Sequence, residues 1–322
     1  MRQKRSATPK TAEAGQRRRV SVSDASRRGS VLANIFPAAQ AAVDDWGTPR
    51  RHSGGGERLG IYKPHSSQAL VIDVFGALQA APGREAVLDR WALELGLPAG
   101  GPWDVALEWR DPENHLREPQ PTWVDAVARS PQALIFFEGK FTEGNGGRCS
   151  QTGRLRSGPH QGRRQCTGSY MWQVNPADGV EARCALTAKG IRYWDVVPRV
   201  FDYDPDQSYL DCPFAGPWFQ WMRNLTVCFE VARRAGLRPA VVVAYADGPG
   251  LPMAARVRSA EWARLLGRLQ PEAVAFRALS FQTLIAWAQQ AAPADPVWPD
   301  LAAWVQAKID AVCAGRIDPP QG

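Results

Sequence analysis

The sequence predicts an α/β protein with a mixed central sheet flanked by helices. Three observations carry this. Three strand-like segments follow one another without a helix between them: Asp104–Trp109, Thr122–Val127 and the apolar run Gln132–Phe137. Beyond residue 217, helical and strand-like patterns alternate, as parallel strands with crossover connections require. Apolar content is 44%, ordinary for a chain with a real core.

The elements follow in order. Ser66 caps a largely buried helix running to Leu78. Glu85 to Leu95 places Val87, Leu88, Trp91 and Leu95 on one face and stops at Gly96. The three strands come next, then a Gly/Arg/Ser-rich loop over 142–165. Ser169 to Trp194 is expected to be helical in parts, with a break at Asn175–Gly179. Pro217–Ala235 predicts a helix, Pro239–Tyr245 a strand, Ala260–Leu269 a helix, Ala273–Leu279 a strand and Phe281–Gln290 a helix. Residues 295–313 predict a last helix, and there is no internal repeat.

Charge divides the chain unevenly. The net charge is +7, and residues 1–30 hold nine basic against two acidic side chains. The rest is balanced, so the basic pI belongs to the tail. Residues 1–60 read as a basic, disordered N-terminal extension in which Val31–Val43 is a transient helix. A folded domain is expected over 61–315 and a short tail over 316–322. Such an extension attracts polyanions, although a solubilising role explains it equally well. No apolar stretch approaches the ~20 residues of a membrane span, and no secretory h-region opens the chain, so the expected compartment is the cytoplasm. Nothing in the sequence sets an oligomeric state.

The chemistry concentrates at the end of the third strand. Alternation puts Leu134, Phe136, Glu138 and Lys140 on one face and Ile135 and Phe137 on the other. A buried run thus ends in a carboxylate and an ammonium side by side, and Asp125 lies in the strand before. Charges beside so apolar a run are costly unless paired or functional. Two acids of this kind can hold Mg²⁺ (or Mn²⁺), which accepts few protein oxygens and keeps several waters. Asp125 and Glu138 are the candidate ligands, with the carbonyl of Gly139 as a third. Lys140 would position the attacking water or stabilise a pentacovalent oxyanion. The reaction in view is phosphodiester hydrolysis. On the tripeptide Glu138-Gly-Lys140 alone, a solvated salt bridge explains the residues as well.

Element order and motifs together resemble the PD-(D/E)XK nuclease superfamily and, more narrowly, a bacterial family of restriction endonucleases. The residues that carry the resemblance are Ser66-Ser-Gln-Ala-Leu70, Thr122 with Asp125, Glu138-Gly-Lys140-Phe-Thr-Glu143, Gly168-Ser-Tyr170 and Gln173-Val-Asn-Pro176. It spans residues 66–290 and implies a restriction-endonuclease-like core, DNA as substrate and a divalent cation. The superfamily often has Pro directly before its Asp, where this chain has Val124. An additional acidic ligand is often present; Asp73, Glu85 and Glu108 are the candidates. Some relatives carry Gln-x-x-x-Tyr on a helix that contacts DNA, and Gln165 and Tyr170 are one residue too far apart for it. Tyr170 and Gln173 still share a helical face as predicted, and either contact substrate or simply pack.

Four cysteines follow the candidate site: Cys149, Cys166, Cys184 and Cys212. Some nucleases of the resembled superfamily bind an iron–sulfur cluster or zinc through four cysteines. Here no pair has the close spacing of ordinary zinc sites, and inert core thiols are the more economical expectation. Disulfides are not expected in a cytoplasmic protein. Cys228 and Cys313 fall on predicted helices as core residues. Between the first two of the four lies a loop with Arg154, Arg156, Arg163 and Arg164, preceded by Arg148, and no acid. A basic loop leaving a metal site suits phosphate tracking. Trp218 and Trp221 are expected to pack in the core rather than stack on bases. The four His lack the spacing of a zinc hydrolase or a catalytic triad, and no phosphate-binding Gly motif appears.

The residues predict a metal-dependent phosphodiesterase, and the resemblance implies a Mg²⁺-dependent deoxyribonuclease, a restriction or defence endonuclease. Two alternatives remain open at this point: a noncatalytic nucleic-acid-binding protein on the same fold, and a cysteine-metal protein with a redox or structural role.

Overall fold

Three consecutive strands, β1 (Asp104–Arg110), β2 (Trp123–Arg129) and β3 (Ala133–Lys140), form an antiparallel meander, as their spacing predicts. The computed structural model describes residues 31–44, 61, 63–175, 179–203 and 211–315. β3 is buried along its whole length, which is why its sequence is a continuous apolar run rather than an alternating one. Its far edge takes a parallel partner over Arg238–Tyr245, in register from Ala133↔Arg238 to Lys140↔Tyr245. A last parallel strand over Ala275–Ser280 completes the sheet. A separate ribbon of β4 (Gln173–Val174) and β5 (Glu181–Ala182) lies outside it; with β6 (Arg238–Tyr245) and β7 (Ala275–Ser280), the sheet order is β1-β2-β3-β6-β7.

Alternation along β3 divides two cores. Ala133, Ile135 and Phe137 point into one, Leu134 and Phe136 into the other. The first core is covered by α1 (Gln40–Asp44), α2 (Ser67–Ala80), α3 (Arg84–Glu94) and, from the C-terminal half, α9 (Phe281–Ala291) and α10 (Val297–Cys313). The second is covered by α4 (Ala185–Ala188), α5 (Tyr193–Val200), α6 (Phe219–Ala235), α7 (Pro252–Val257) and α8 (Ala260–Leu266). None of the helices among the described residues is long and apolar enough to cross a membrane.

α2 starts as its sequence predicts. The Ser66 hydroxyl accepts the Ala69 N–H at 3.2 Å, satisfying one of the donors that a helix start leaves open. Every residue from Ala69 to Leu78 is buried. The helix therefore has no solvent face, which accounts for the lack of a polar stripe in its sequence.

Two regions differ from expectation. Residues 31–44 fall inside the predicted extension, yet Val31, Ile35, Phe36 and Ala39 are buried in the first core. Gly76 on α2 makes room for them: a Cβ there would lie 2.9 Å from that of Ala39. The Phe36 N–H donates to Asp73 at 2.7 Å, and Lys308 and Trp304 of α10 reach the other carboxylate oxygen. The segment is held by partners far along the chain, which a local reading could not supply. The remainder of the predicted extension and the tail over 316–322 lie outside the described residues. The second lies within Ser169–Trp194, expected to be helical in parts. Helix is found at Ala185–Ala188 and from Tyr193, while Gln173–Val174 and Glu181–Ala182 pair as the β4–β5 ribbon.

Candidate active site

The site forms where the sheet opens. β2 pairs with β3 as far as Ala126↔Phe137 and no further, while β3 continues beside β6 to Lys140. Asp125 and Glu138 are the next residues on the diverging strands. Asp125 takes over where the backbone ladder stops, its Oδ2 accepting the Gly139 N–H at 2.8 Å. That donor would otherwise lack a strand partner on this side. Gly139 is required by packing: a Cβ would stand 2.2 Å from Cγ2 of Val71 on α2.

β1 brings a third acid. Its register, Leu107↔Ala126 and Trp109↔Val124, sets Glu108 opposite Asp125. Glu108 has a φ of 48°, in the left-handed region that a non-glycine residue rarely enters. Such strain costs roughly 1–3 kcal/mol and is concentrated at functional sites. Gln68 of α2 donates to the Glu108 carboxylate at 2.6 Å. Of the three candidates for an additional acid, Glu108 is the one near Asp125. Asp73 is bound to Lys308 and Phe36 in the first core, and Glu85 accepts the Trp103 N–H at 3.0 Å.

Glu138 and Lys140 lie side by side, Nζ to Oε1 at 3.0 Å, and both are buried. Two residues of α6 complete the arrangement, and the sequence reading missed both. Asn224 donates to Glu138 Oε2 at 2.8 Å, and Gln220 accepts from Lys140 Nζ at 2.8 Å. They stand four apart, one turn of the helix, and so share a face. A signal existed: Asn224 falls on the stripe formed by Trp221, Leu225 and Cys228, where an apolar residue is expected. The side chain of Asn224 is fully buried and its Oδ1 has no hydrogen-bond partner among the described residues.

The electrostatics are those of crowded acids. Asp125 is half-buried. Burial first, then repulsion from Glu138 and Glu108, holds its pKa well above the ordinary carboxylate range, against the pull of Lys140 and the Gly139 N–H. For Lys140, burial works against the charge, but attraction to Glu138 and Asp125 outweighs it and the pKa is raised. Lys140 is therefore a cation at neutral pH.

The donors fit a hard divalent cation, being oxygens with an excess of negative charge and an unpartnered amide oxygen close by. Among the described residues no three acid, His or Cys side chains are grouped so as to hold an ion by themselves. Mg²⁺ does not ask for a complete protein cage, since it keeps several of its waters.

The segment leaving Lys140 docks on the start of α6. The Gln220 N–H donates to the carbonyl of Gly146 and the Phe219 N–H to that of Gly147. Arg148 follows at once and is exposed. The predicted loop then folds into a small hairpin, with Leu155 N–H to the carbonyl of Arg163 and Gly162 N–H to that of Leu155, both at 2.9 Å. Arg154, Arg156, Arg163 and Arg164 are exposed on it and form no ion pair among the described residues. Tyr170 and Gln173 do not share the expected helical face. Tyr170 lies in a bend, with Trp194 stacked on its ring at 3.3 Å and the Arg183 guanidinium over it at 4.3 Å. Gln173 is in β4, its oxygen accepting the Thr167 N–H and its nitrogen near the carbonyls of Ser169, Met171 and Arg183. Both brace the fold. Trp218 and Trp221 pack against each other and against Trp262, as expected.

A family model described as "Restriction Endonuclease associating with ARP" matches residues 3–304. No curated protein and no solved structure matches the chain.

Proposed function

The chain belongs to the family of restriction endonucleases associating with ARP, and from that premise we propose that it is a Mg²⁺-dependent nuclease hydrolysing DNA phosphodiesters. The observation that carries this reading is the meeting of Glu108, Asp125, Glu138 and Lys140 at the fork between β2 and β3. Both backbone strain and crowded acids are tolerated there. In a purely structural site the same positions would be filled by apolar residues at no cost.

Asp125 and Glu138 are the proposed ligands, with the Gly139 carbonyl and Glu108 as further oxygens. The cation, when bound, neutralises the phosphate and lowers the pKa of a water for attack. The protein's own groups do the rest. Lys140 offers three donors. Two are engaged by Glu138 and Gln220, and the third is available for the attacking water or a phosphoryl oxygen. Asn224 fixes the rotamer of Glu138, so that one carboxylate oxygen faces Lys140 and the other is oriented by the amide. Ligands steered in this way bind and react better than free ones. Arg148 and the hairpin arginines would meet the phosphate backbone, a role that orients the duplex without reading its sequence.

Cleavage of plasmid and single-stranded DNA, titrated with Mg²⁺ and Mn²⁺ and stopped with a chelator, tests the reading. Cutting that requires the cation and disappears in Glu138→Gln supports it. Binding without cutting under every cation condition would instead favour a noncatalytic DNA-binding protein on the same fold.

A further inference from the structure

The segment between β3 and α6 contains four cysteines on four separate stretches, and hydrogen bonds join those stretches in a ring. The Cys149 N–H donates to the carbonyl of Phe214 at 3.2 Å, two residues beyond Cys212. The Cys212 N–H donates to the carbonyl of Gly168 at 3.2 Å, two residues beyond Cys166. Gln173 lies 3.7 Å from the Cys166 sulfur and 3.3 Å from the carbonyl of Arg183, which precedes Cys184. Lys189, just past α4, closes the ring on Gln151 and Gln165.

Each sulfur has at least one backbone N–H beside it. That of Gly168 is 3.4 Å from the sulfur of Cys166. Gln151 and Thr152 serve Cys149, Leu186 and Thr187 serve Cys184, and Phe214 serves Cys212. In all four a donor lies two residues beyond the cysteine. Donation of this kind favours a thiolate, since a neutral thiol is only a weak acceptor. Cys149, Cys166 and Cys184 are buried and Cys212 is half-buried. Cys228 lies elsewhere, between α6 and β6, and Cys313 ends α10.

We infer that Cys149, Cys166, Cys184 and Cys212 form a tetrathiolate site for one Zn²⁺. Soft sulfur ligands select zinc over hard cations, and a single tetrahedral ion suits four stretches already tied backbone to backbone. The four thiols lie close enough to act on one another electrostatically. Zinc binding displaces their protons. No three of the side chains yet stand in a group that could hold an ion, so binding must draw the stretches together. The consequence is mechanical. The arginine hairpin lies between the first two ligands, and Arg148 directly precedes the first. Zinc would anchor both feet of the hairpin beside α6. The site itself does not depend on the nuclease reading.

The test is metal analysis of the full chain purified from zinc-supplemented cells, with far-ultraviolet circular dichroism as a check of folding. The expected result is one zinc per chain, retained in Cys313→Ser and lost in Cys149→Ser and Cys212→Ser. Cobalt substitution of the wild-type chain provides a readout free of folding defects. Tetrahedral d–d bands with intense thiolate-to-cobalt charge transfer are expected. Trypsin should cut the hairpin faster once a chelator has removed the ion. A wild-type chain that neither carries nor takes up zinc would overturn the inference. So would zinc retained in both cysteine variants, or an iron–sulfur chromophore in its place.

Discussion

Asn224 donates to Glu138 at 2.8 Å while its own amide oxygen, fully buried, receives no hydrogen bond from any of the described residues. An unsatisfied buried oxygen costs about 1–3 kcal/mol. The orientation of Glu138 is therefore held at some expense to stability. Asn224→Leu removes the unsatisfied oxygen but leaves the buried Glu138 Oε2 without its donor, so no gain in thermal stability is expected. Mg²⁺ affinity and cleavage should be weakened about 10- to 100-fold. Unchanged metal affinity would show that Glu138 needs no such support.

Asp125 gives the site a pH signature. Its pKa in the folded chain is raised by burial and by neighbouring acids. The native state therefore binds more protons than the unfolded state between the ordinary carboxylate pKa and the raised one. Stability contributed at this position falls as pH rises through that window. In the presence of a chelator, the advantage of Asp125→Asn over wild type should grow from about pH 4 toward neutrality, the unfolded carboxylate titrating near 3.9. Mg²⁺ should raise the melting temperature of wild type and leave the variant unmoved. Parallel melting curves for the two proteins across pH would contradict the crowded-acid account.

Gly139 separates packing from chemistry. A methyl group there would meet Val71 at 2.2 Å and approach Asp125 Oδ2 at 3.5 Å. Gly139→Ala should cost roughly 1–3 kcal/mol through overpacking. Val71→Ala added to it should return much of that loss, measured by urea denaturation. Equal stability of the single variant and wild type would mean that α2 yields freely.

Much of the fold was legible because it is written in local patterns. The meander, α2 with its Ser66 cap, and the alternation that sets Glu138 beside Lys140 all follow from neighbours in sequence. What was hidden depends on residues distant along the chain. Gln220 and Asn224 lie about 80 residues beyond Lys140 and Glu138 (|i−j| of 80 and 86), on a helix whose facing only the packed sheet determines. Glu108 could not be chosen over Asp73 and Glu85 until the β1–β2 register set it opposite Asp125. Residues 31–44 gave no sign that α2 and Lys308 would hold them. The β4–β5 ribbon was misread because strands of two residues carry no measurable period.

The exposed hairpin arginines predict a salt dependence. Replacing Arg154, Arg156, Arg163 and Arg164 together by Ala should weaken DNA binding at all sequences alike. The slope of log K against log salt should become shallower by about 0.9 for each phosphate that the protein no longer neutralises. Fluorescence anisotropy on unrelated duplexes checks this, and a slope that does not move would place the DNA elsewhere.

The central claim is that Lys140 acts on the reaction while the acids hold the ion. Single-turnover plasmid cleavage by Lys140→Ala at saturating Mg²⁺, with Mn²⁺ affinity measured on the same preparation, tests this most directly. The account predicts near-normal Mn²⁺ binding and cleavage slower by about 10²–10³-fold, the loss expected for one group stabilising charge in the transition state. Cleavage at the wild-type rate by a chain that binds the ion normally would contradict it.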